Sequence, residues 1–127
     1  VPLVFGDFEK TARMLENLAS NAIKFTPDGG SVELRAAYDA DSRTVTLSMA
    51  DTGIGIAQED QERIFERFVQ VDSTSTRKYN GSGLGLALVR EYADVQGFAV
   101  SVDSELGQGS TFTITVPEEA IVGEDDV

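Results

Sequence analysis

The sequence predicts an α+β protein, a two-layer sandwich with about three helices over one face of a sheet. Three observations lead there. Segments with period-2 alternation come in two pairs, each joined by a short polar or glycine-bearing turn. Segments with helical spacing stand before and between those pairs. The resulting order is helix, two strands, helix, loop, helix, two strands, without the strict alternation of a doubly wound nucleotide fold.

A first helix is expected over residues 7–25, with Asp7 as N-cap and Pro27, Gly29 and Gly30 as the stop. Residues 31–38 alternate, placing Val32, Leu34, Ala36 and Tyr38 on one strand face. Residues 43–50 alternate through Val45, Leu47 and Met49, and the polar stretch 39–42 makes the pair a hairpin. After a glycine-rich turn at 51–56, residues 58–69 read as a second helix with Ile64, Phe65, Phe68 and Val69 on one side. Residues 72–80 are polar, Ser/Thr-rich and hold the basic pair Arg77-Lys78, so they form a loop. A third helix opens in the run 81–85 and ends at Gly97, a C′ glycine. Two more strands are expected over 99–103 and 111–116, joined by a turn holding Gly107 and Gly109. The last ten residues carry five acids and no core pattern. The domain is therefore taken as 1–117, with 118–127 an acidic tail or linker.

Composition narrows the chemistry. The 127 residues suit one domain, and 41% hydrophobic with 25% charged residues suits a globular core with a solvated surface. No apolar run is long enough to span a bilayer. There is no cysteine and no histidine. Thiol nucleophiles, thiolate or imidazole metal sites and Ser-His-Asp chemistry are excluded. A net charge of −12 argues against non-specific binding to nucleic acid. It does not exclude an anion held by backbone N–H groups and a bridging cation.

Three segments combine residue types that chemistry uses. On the first helix, at 100° per residue, Lys10, Asn17, Asn21 and Lys24 fall on one stripe, with Leu15, Leu18, Ala22 and Phe25 elsewhere. Lys10 reads as part of a solvated face. Two mid-helix asparagines with a lysine one turn on are less ordinary, because Asn is a poor helix former. An amide oxygen can hold Mg²⁺ and the lysine can meet a phosphate. Asp51-Thr52-Gly53-Ile54-Gly55-Ile56 directly follows a strand. It is either a tight turn holding an acid, a ligand loop, or the Asp-Thr-Gly of a dimeric aspartic protease. Gly81-Ser82-Gly83-Leu84-Gly85-Leu86 opens a helix, where exposed N–H groups attract anions. Its spacing matches neither a dinucleotide fingerprint nor a Walker loop. Gly107-Gln108-Gly109-Ser110-Thr111-Phe112 reads first as a hairpin turn.

Together and in order, these segments resemble the catalytic, ATP-binding domain of sensor histidine kinases. The motifs are Asn-Leu-x-x-Asn-Ala-x-Lys-Phe, Asp-x-Gly-x-Gly-Ile, Phe-x-x-Phe, Gly-x-Gly-Leu-Gly-Leu and Gly-x-Gly-x-Thr-Phe, and the likeness runs from Gly6 to Pro117. It sets the protease reading aside. The resemblance implies the Bergerat fold, a mixed sheet covered on one face by helices. It implies ATP and Mg²⁺ as cofactors, with Asn21 and Asn17 holding the metal or the phosphates it bridges. Lys24 would pair with a phosphate and Phe25 would pack near the base. Asp51 would accept from the adenine 6-amino group, and Gly53, Gly55 and Ile56 would bring backbone to the purine. Gly81, Gly83, Leu84 and Gly85 would present N–H groups to phosphates, under a lid at 72–80 whose Arg77 or Lys78 contacts them. Thr111 would reach the same end of the adenine as Asp51.

Gyrase- and chaperone-type relatives carry a water-activating Glu on this helix. Asn17 stands at that position here, and Glu16 is turned about 100° away. The resemblance therefore implies a kinase whose nucleophile arrives from outside. That nucleophile would be a histidine on a separate dimerisation domain of the same parent kinase, with a response regulator downstream. The chain would be one domain of a longer kinase. It would be monomeric alone, cytoplasmic and without direct membrane contact, whether or not the parent is membrane-anchored. An ATP-sensing module without transfer, and a serine kinase like the anti-sigma relatives, are the alternatives.

Overall fold

The computed structural model describes residues 3–4, 8–61, 63–65, 85–118 and 121–122. Helix α1 is Phe8–Phe25, one residue shorter than expected at its start, and Asp7 lies outside the described residues. Glu9 in its first turn and Lys24 in its last complement the helix dipole. At its end Thr26 Oγ1 donates to the Ala22 carbonyl at 2.7 Å, and Pro27 follows.

Strands β2 (Val32–Asp39) and β3 (Thr44–Asp51) form the first hairpin, and β4 (Ala99–Glu105) and β5 (Gly109–Val116) the second. In the β2–β3 turn the Asp39 carboxylate accepts the N–H groups of Asp41 and Ser42, which hold its pKa below the usual carboxylate value. The sheet order is β2-β3-β5-β4, and every described pairing is antiparallel. The expected mixed sheet is thus corrected. Both neighbouring pairs are hairpins, and β3 and β5 pair antiparallel at the centre.

Helix α3 (Gly85–Gln96) ends as expected at Gly97. The Phe98 N–H reaches the Ala93 carbonyl at 2.8 Å and the Gly97 N–H that of Asp94 at 3.2 Å, the two bonds of a Schellman motif. Helix α2 is only Gln58–Gln61, not the longer helix expected. After it Arg63 N–H donates to the Asp60 carbonyl, an i→i+3 bond that tightens the chain into a turn at 63–65. Phe68 and Val69 lie outside the described residues.

The core lies between α1, α3 and the sheet. Met14, Leu18 and Ala22 of α1 and Val89 and Ala93 of α3 meet Val45, Met49, Phe112, Ile114 and Val116. Ile64 fills the edge of this cluster, and Phe65 meets Phe112 edge-on at 6.1 Å between ring centroids. The alternation expected for β2 does not lead to burial, because all eight of its residues are exposed. Val32, Leu34 and Tyr38 share a face with Asp51, Met49 and Val45 across the hairpin. However, β2 is an edge strand, and α1 packs mainly on α3 and β3.

Two short strands, β1 (Leu3–Val4) and β6 (Ile121–Val122), pair antiparallel. The stretch read as an acidic tail therefore contains a paired strand, too short to show a pattern. It also holds Glu118, whose carboxylate is 3.6 Å from the Arg43 guanidinium.

Candidate functional site

Asp51 ends β3 on the helix-facing side of the sheet, opposite Ser110 of β5, and is only 8% exposed. Its Oδ1 accepts the Gly53 N–H at 2.8 Å. Burial pushes its pKa above the ordinary value, against the lowering effect of the Gly53 and Ser110 N–H groups. A carboxylate has about four lone-pair positions, so two backbone donors leave acceptor capacity unused. Here, then, is a buried acid with no cation in the described ion pairs and room for another donor.

The glycines around Asp51 fit protein against protein. A Cβ on Gly53 would run into the Phe25 carbonyl oxygen, which also accepts the Ile54 N–H at 3.1 Å. A Cβ on Gly55, at φ +76°, would strike the Glu105 carbonyl oxygen. One on Gly109, at φ +109°, would strike that of Asp51. The end of α1, the loop 52–57 and the β4–β5 turn thus interlock around the acid. The Gly107 N–H adds a 2.8 Å bond to the Ile54 carbonyl. Ile56, the loop's apolar residue, is buried, and Phe25 is half-buried.

The asparagine stripe of α1 faces α3. Asn17 and Asn21 are half-buried, and a Cβ on Gly85, the first residue of α3, would lie 3.6 Å from Asn17 Oδ1. The Asn17 amide oxygen thereby borders the positive end of the α3 dipole. Lys10, expected in solvent, is half-buried at the same interface, with its ammonium 6.0 Å from the Tyr92 ring centroid. Lys24 is exposed, and so is Glu16, turned off the stripe as its spacing requires. No cluster of three or more His, Cys, Asp or Glu among the described residues could hold a metal ion. A cation here would take neutral amide oxygens and oxygens of a bound anion, which fits the two asparagines.

The fold brings Asn17, Asn21, Phe25, Asp51, Gly53, Gly55, Ile56 and Gly85 around the junction of α1, the glycine loop and the start of α3. It does not bring Thr111 there. Thr111 pairs with Ala50, one residue off the Asp51–Ser110 pair, so strand alternation turns it to the opposite face. The residue beside Asp51 is Ser110, buried at 7% exposure. The alternation Ser110, Phe112, Ile114, Val116 already carried that signal in the sequence. Ser104 and Gln61 were also missed, because their bonds cross between elements. Arg77, Lys78, Gly81, Gly83 and Leu84 lie outside the described residues.

Residues 6–120 match the family described as histidine kinase-, DNA gyrase B- and HSP90-like ATPase. The autoinducer 2 sensor kinase/phosphatase LuxQ of Vibrio parahaemolyticus is 44% identical over 117 residues, 90% of this chain and 14% of LuxQ. The sensor histidine kinase WalK of Bacillus subtilis is 40% identical over 111 residues, 87% of this chain and 18% of WalK. The chain thus spans under a fifth of either relative. Among solved structures, full-length ShkA in complex with AMPPNP superposes with a TM-score of 0.81 at 40% identity, covering 97% of this chain and 24% of ShkA. The nucleotide-free catalytic domain of histidine kinase ThkA does so with a TM-score of 0.71 at 25% identity.

Proposed function

The chain belongs to the histidine kinase-, DNA gyrase B- and HSP90-like ATPase family, and from that premise we propose that it binds Mg-ATP for transfer of the γ-phosphoryl group to a histidine. The histidine sits on a separate dimerisation domain of a parent two-component kinase, which signals to a response regulator. One observation carries this reading. A buried acceptor, Asp51, lies near one end of a helix that carries two half-buried asparagines, of which Asn17 borders the N-terminus of another helix. That arrangement offers an acceptor for a base amino group and neutral oxygens with N–H groups for phosphates. The AMPPNP bound to ShkA supports the nucleotide.

In this reading Asp51 accepts from the adenine 6-amino group, while Phe25 and Ile56 give the base apolar contact. Gly53 and Gly55 keep the loop close. Asn17 and Asn21 hold Mg²⁺ or the phosphates it bridges, and Lys24 meets a phosphate from the α1 end. Gly85, together with Gly81, Gly83, Leu84, Arg77 and Lys78, supplies the remaining phosphate side. Bound Mg²⁺ supplies charge neutralisation on the phosphates. The protein's own part is to bind and orient, since the acceptor histidine is absent from the chain. No helix among the described residues is long and apolar enough to cross a membrane.

Calorimetric titration tests the reading. One site for ATP, strengthened by Mg²⁺, is expected. Asn21→Ala should remove most of that Mg²⁺ dependence, because alanine offers the ion no oxygen. Absence of heat and of thermal stabilisation at millimolar nucleotide would refute the nucleotide site. Unchanged Mg²⁺ dependence in the variant would place the metal elsewhere.

A further inference from the structure

Ser104, on β4, belongs to none of the motifs above, yet its side chain is saturated. Its Oγ receives the Ile56 N–H at 2.8 Å, lies 2.9 Å from the Gly109 carbonyl oxygen and lies 2.8 Å from Ser110 Oγ. The Ser104 carbonyl oxygen accepts the Gln61 amide nitrogen at 2.9 Å, and the same nitrogen donates to the Ile56 carbonyl at 2.8 Å. Ile56, the apolar end of the glycine loop, is therefore clamped through its N–H by Ser104 and through its carbonyl by Gln61.

The proton count is decisive. A serine hydroxyl has one hydrogen and two lone pairs. A carbonyl oxygen only accepts, so the single Ser104 hydrogen goes to Gly109. A backbone N–H only donates, so one Ser104 lone pair is taken by Ile56. The contact with Ser110 is then satisfied in one way, with Ser110 donating its hydrogen to Ser104. Ser110 is left with lone pairs alone, on the sheet face it shares with the Asp51 carboxylate. Among the described residues, the two side chains paired here, Asp51 and Ser110, are thereby acceptors, and the Ser110 hydroxyl has no hydrogen left to donate to a carbonyl.

Building on the adenine reading of Asp51, we infer that Ser104 is a positioning residue for base selection: it fixes the polarity of the Ser110 hydroxyl, so that Ser110 and Asp51 together favour a base with an exocyclic 6-amino donor and oppose one with a 6-oxo group. The contact to the base runs directly or through a water, which can donate to Ser110 and to Asp51. Without the Ser104 hydroxyl, Ser110 is free to rotate and to donate toward a 6-oxo group.

The experiment measures binding of ATP, inosine triphosphate and inorganic tripolyphosphate to the whole chain, for wild type and for Ser104→Ala, Ser104→Thr, Ser110→Ala and Asp51→Asn. Inosine triphosphate differs from ATP only at the Watson–Crick edge, where a 6-oxo group replaces the 6-amino group and N1 carries a proton. Ser104→Ala is expected to narrow the preference for ATP by roughly 5- to 10-fold, a neutral hydrogen bond's worth, mainly through tighter inosine triphosphate binding. Tripolyphosphate binding should stay the same, and Ser104→Thr, which keeps the hydroxyl, should keep the wild-type preference. If Ser104→Ala does not fold, Ser110→Ala decides. It removes the acceptor without touching the Ile56 and Gly109 bonds, and should narrow the preference by loss of ATP affinity. An unchanged ratio, or equal losses for both nucleotides in step with thermal stability, would overturn the inference. Asp51→Asn separates the two levels. If it narrows the preference while the serine variants do not, the serine inference alone fails. If wild type shows no preference, or Asp51→Asn leaves it intact, the adenine reading fails and takes the inference with it.

Discussion

Asp51→Asn is expected to weaken ATP binding by about 10- to 150-fold, the loss of roughly 1.5–3 kcal/mol for a hydrogen bond to a charged acceptor. Binding of a 6-oxo purine nucleotide should fall less, because the new amide can turn its NH₂ toward the carbonyl. Equal losses would mean that Asp51 does not read the 6-position. In the ligand-free protein the effect should run the other way. Burial raises the Asp51 pKa above its ordinary value of 3.8. Between the ordinary and the raised value the native chain holds a proton that the unfolded chain has released. Wild-type stability therefore falls as pH rises through that window, whereas asparagine has no charge to bury. Asp51→Asn should raise Tm at neutral pH, and the gain should vanish below the ordinary carboxylate pKa. A wild type that is the more stable at neutral pH would contradict this account of the acid. The acceptor role proposed for Asp51 and its cost to stability come from the same burial.

Gly109→Ala should be among the most damaging small substitutions in the chain. The residue sits at φ +109°, where an L side chain is strained, and its Cβ would strike the Asp51 carbonyl oxygen. Strain of this kind costs about 1–3 kcal/mol before any steric overlap, and the overlap here is with backbone at a central strand pair. A loss above about 3 kcal/mol in denaturant unfolding is expected, with nucleotide affinity lost in any folded remainder. A loss under about 1 kcal/mol would show that the turn and β3 can part without consequence.

Sequence pattern located the elements that local forces determine. Helix α1 carries its dipole-matched ends and its proline stop, α3 its glycine C-cap, and each hairpin its polar or glycine turn. Pattern also singled out the asparagine stripe, because amides in mid-helix are locally unusual, and Asp51, through its Asp-x-Gly-x-Gly spacing and its place in the order of motifs. It failed where position in the sheet decides. β2 alternates as a buried strand does, but sits at an edge, while α1 packs mainly on α3 and β3. Thr111 was chosen for its motif, although register with β3 turns Ser110 toward Asp51. Lys10 looked solvated because nothing local shows Tyr92 facing it from α3. Ser104 and Gln61 gain their meaning from bonds that join separate elements, including Ser104 to Ile56 and Gln61 to Ser104. The paired strand in the last ten residues was hidden by its length.

A phosphoryl-transfer assay with γ-labelled ATP distinguishes a site that holds ATP for transfer, as proposed, from one that hydrolyses it. The chain contains no histidine, and Glu16, the acid next to Asn17, is exposed and off the stripe. A positioned general base contributes about 10²- to 10⁴-fold, so the chain alone should release phosphate very slowly and label itself negligibly. Adding the histidine-bearing helical domain of the parent kinase in trans should place an acid-labile label on that domain's histidine. Brisk hydrolysis by the chain alone, abolished by Glu16→Ala, with no label on the added histidine, would contradict the account and make the protein an ATP-hydrolysing switch.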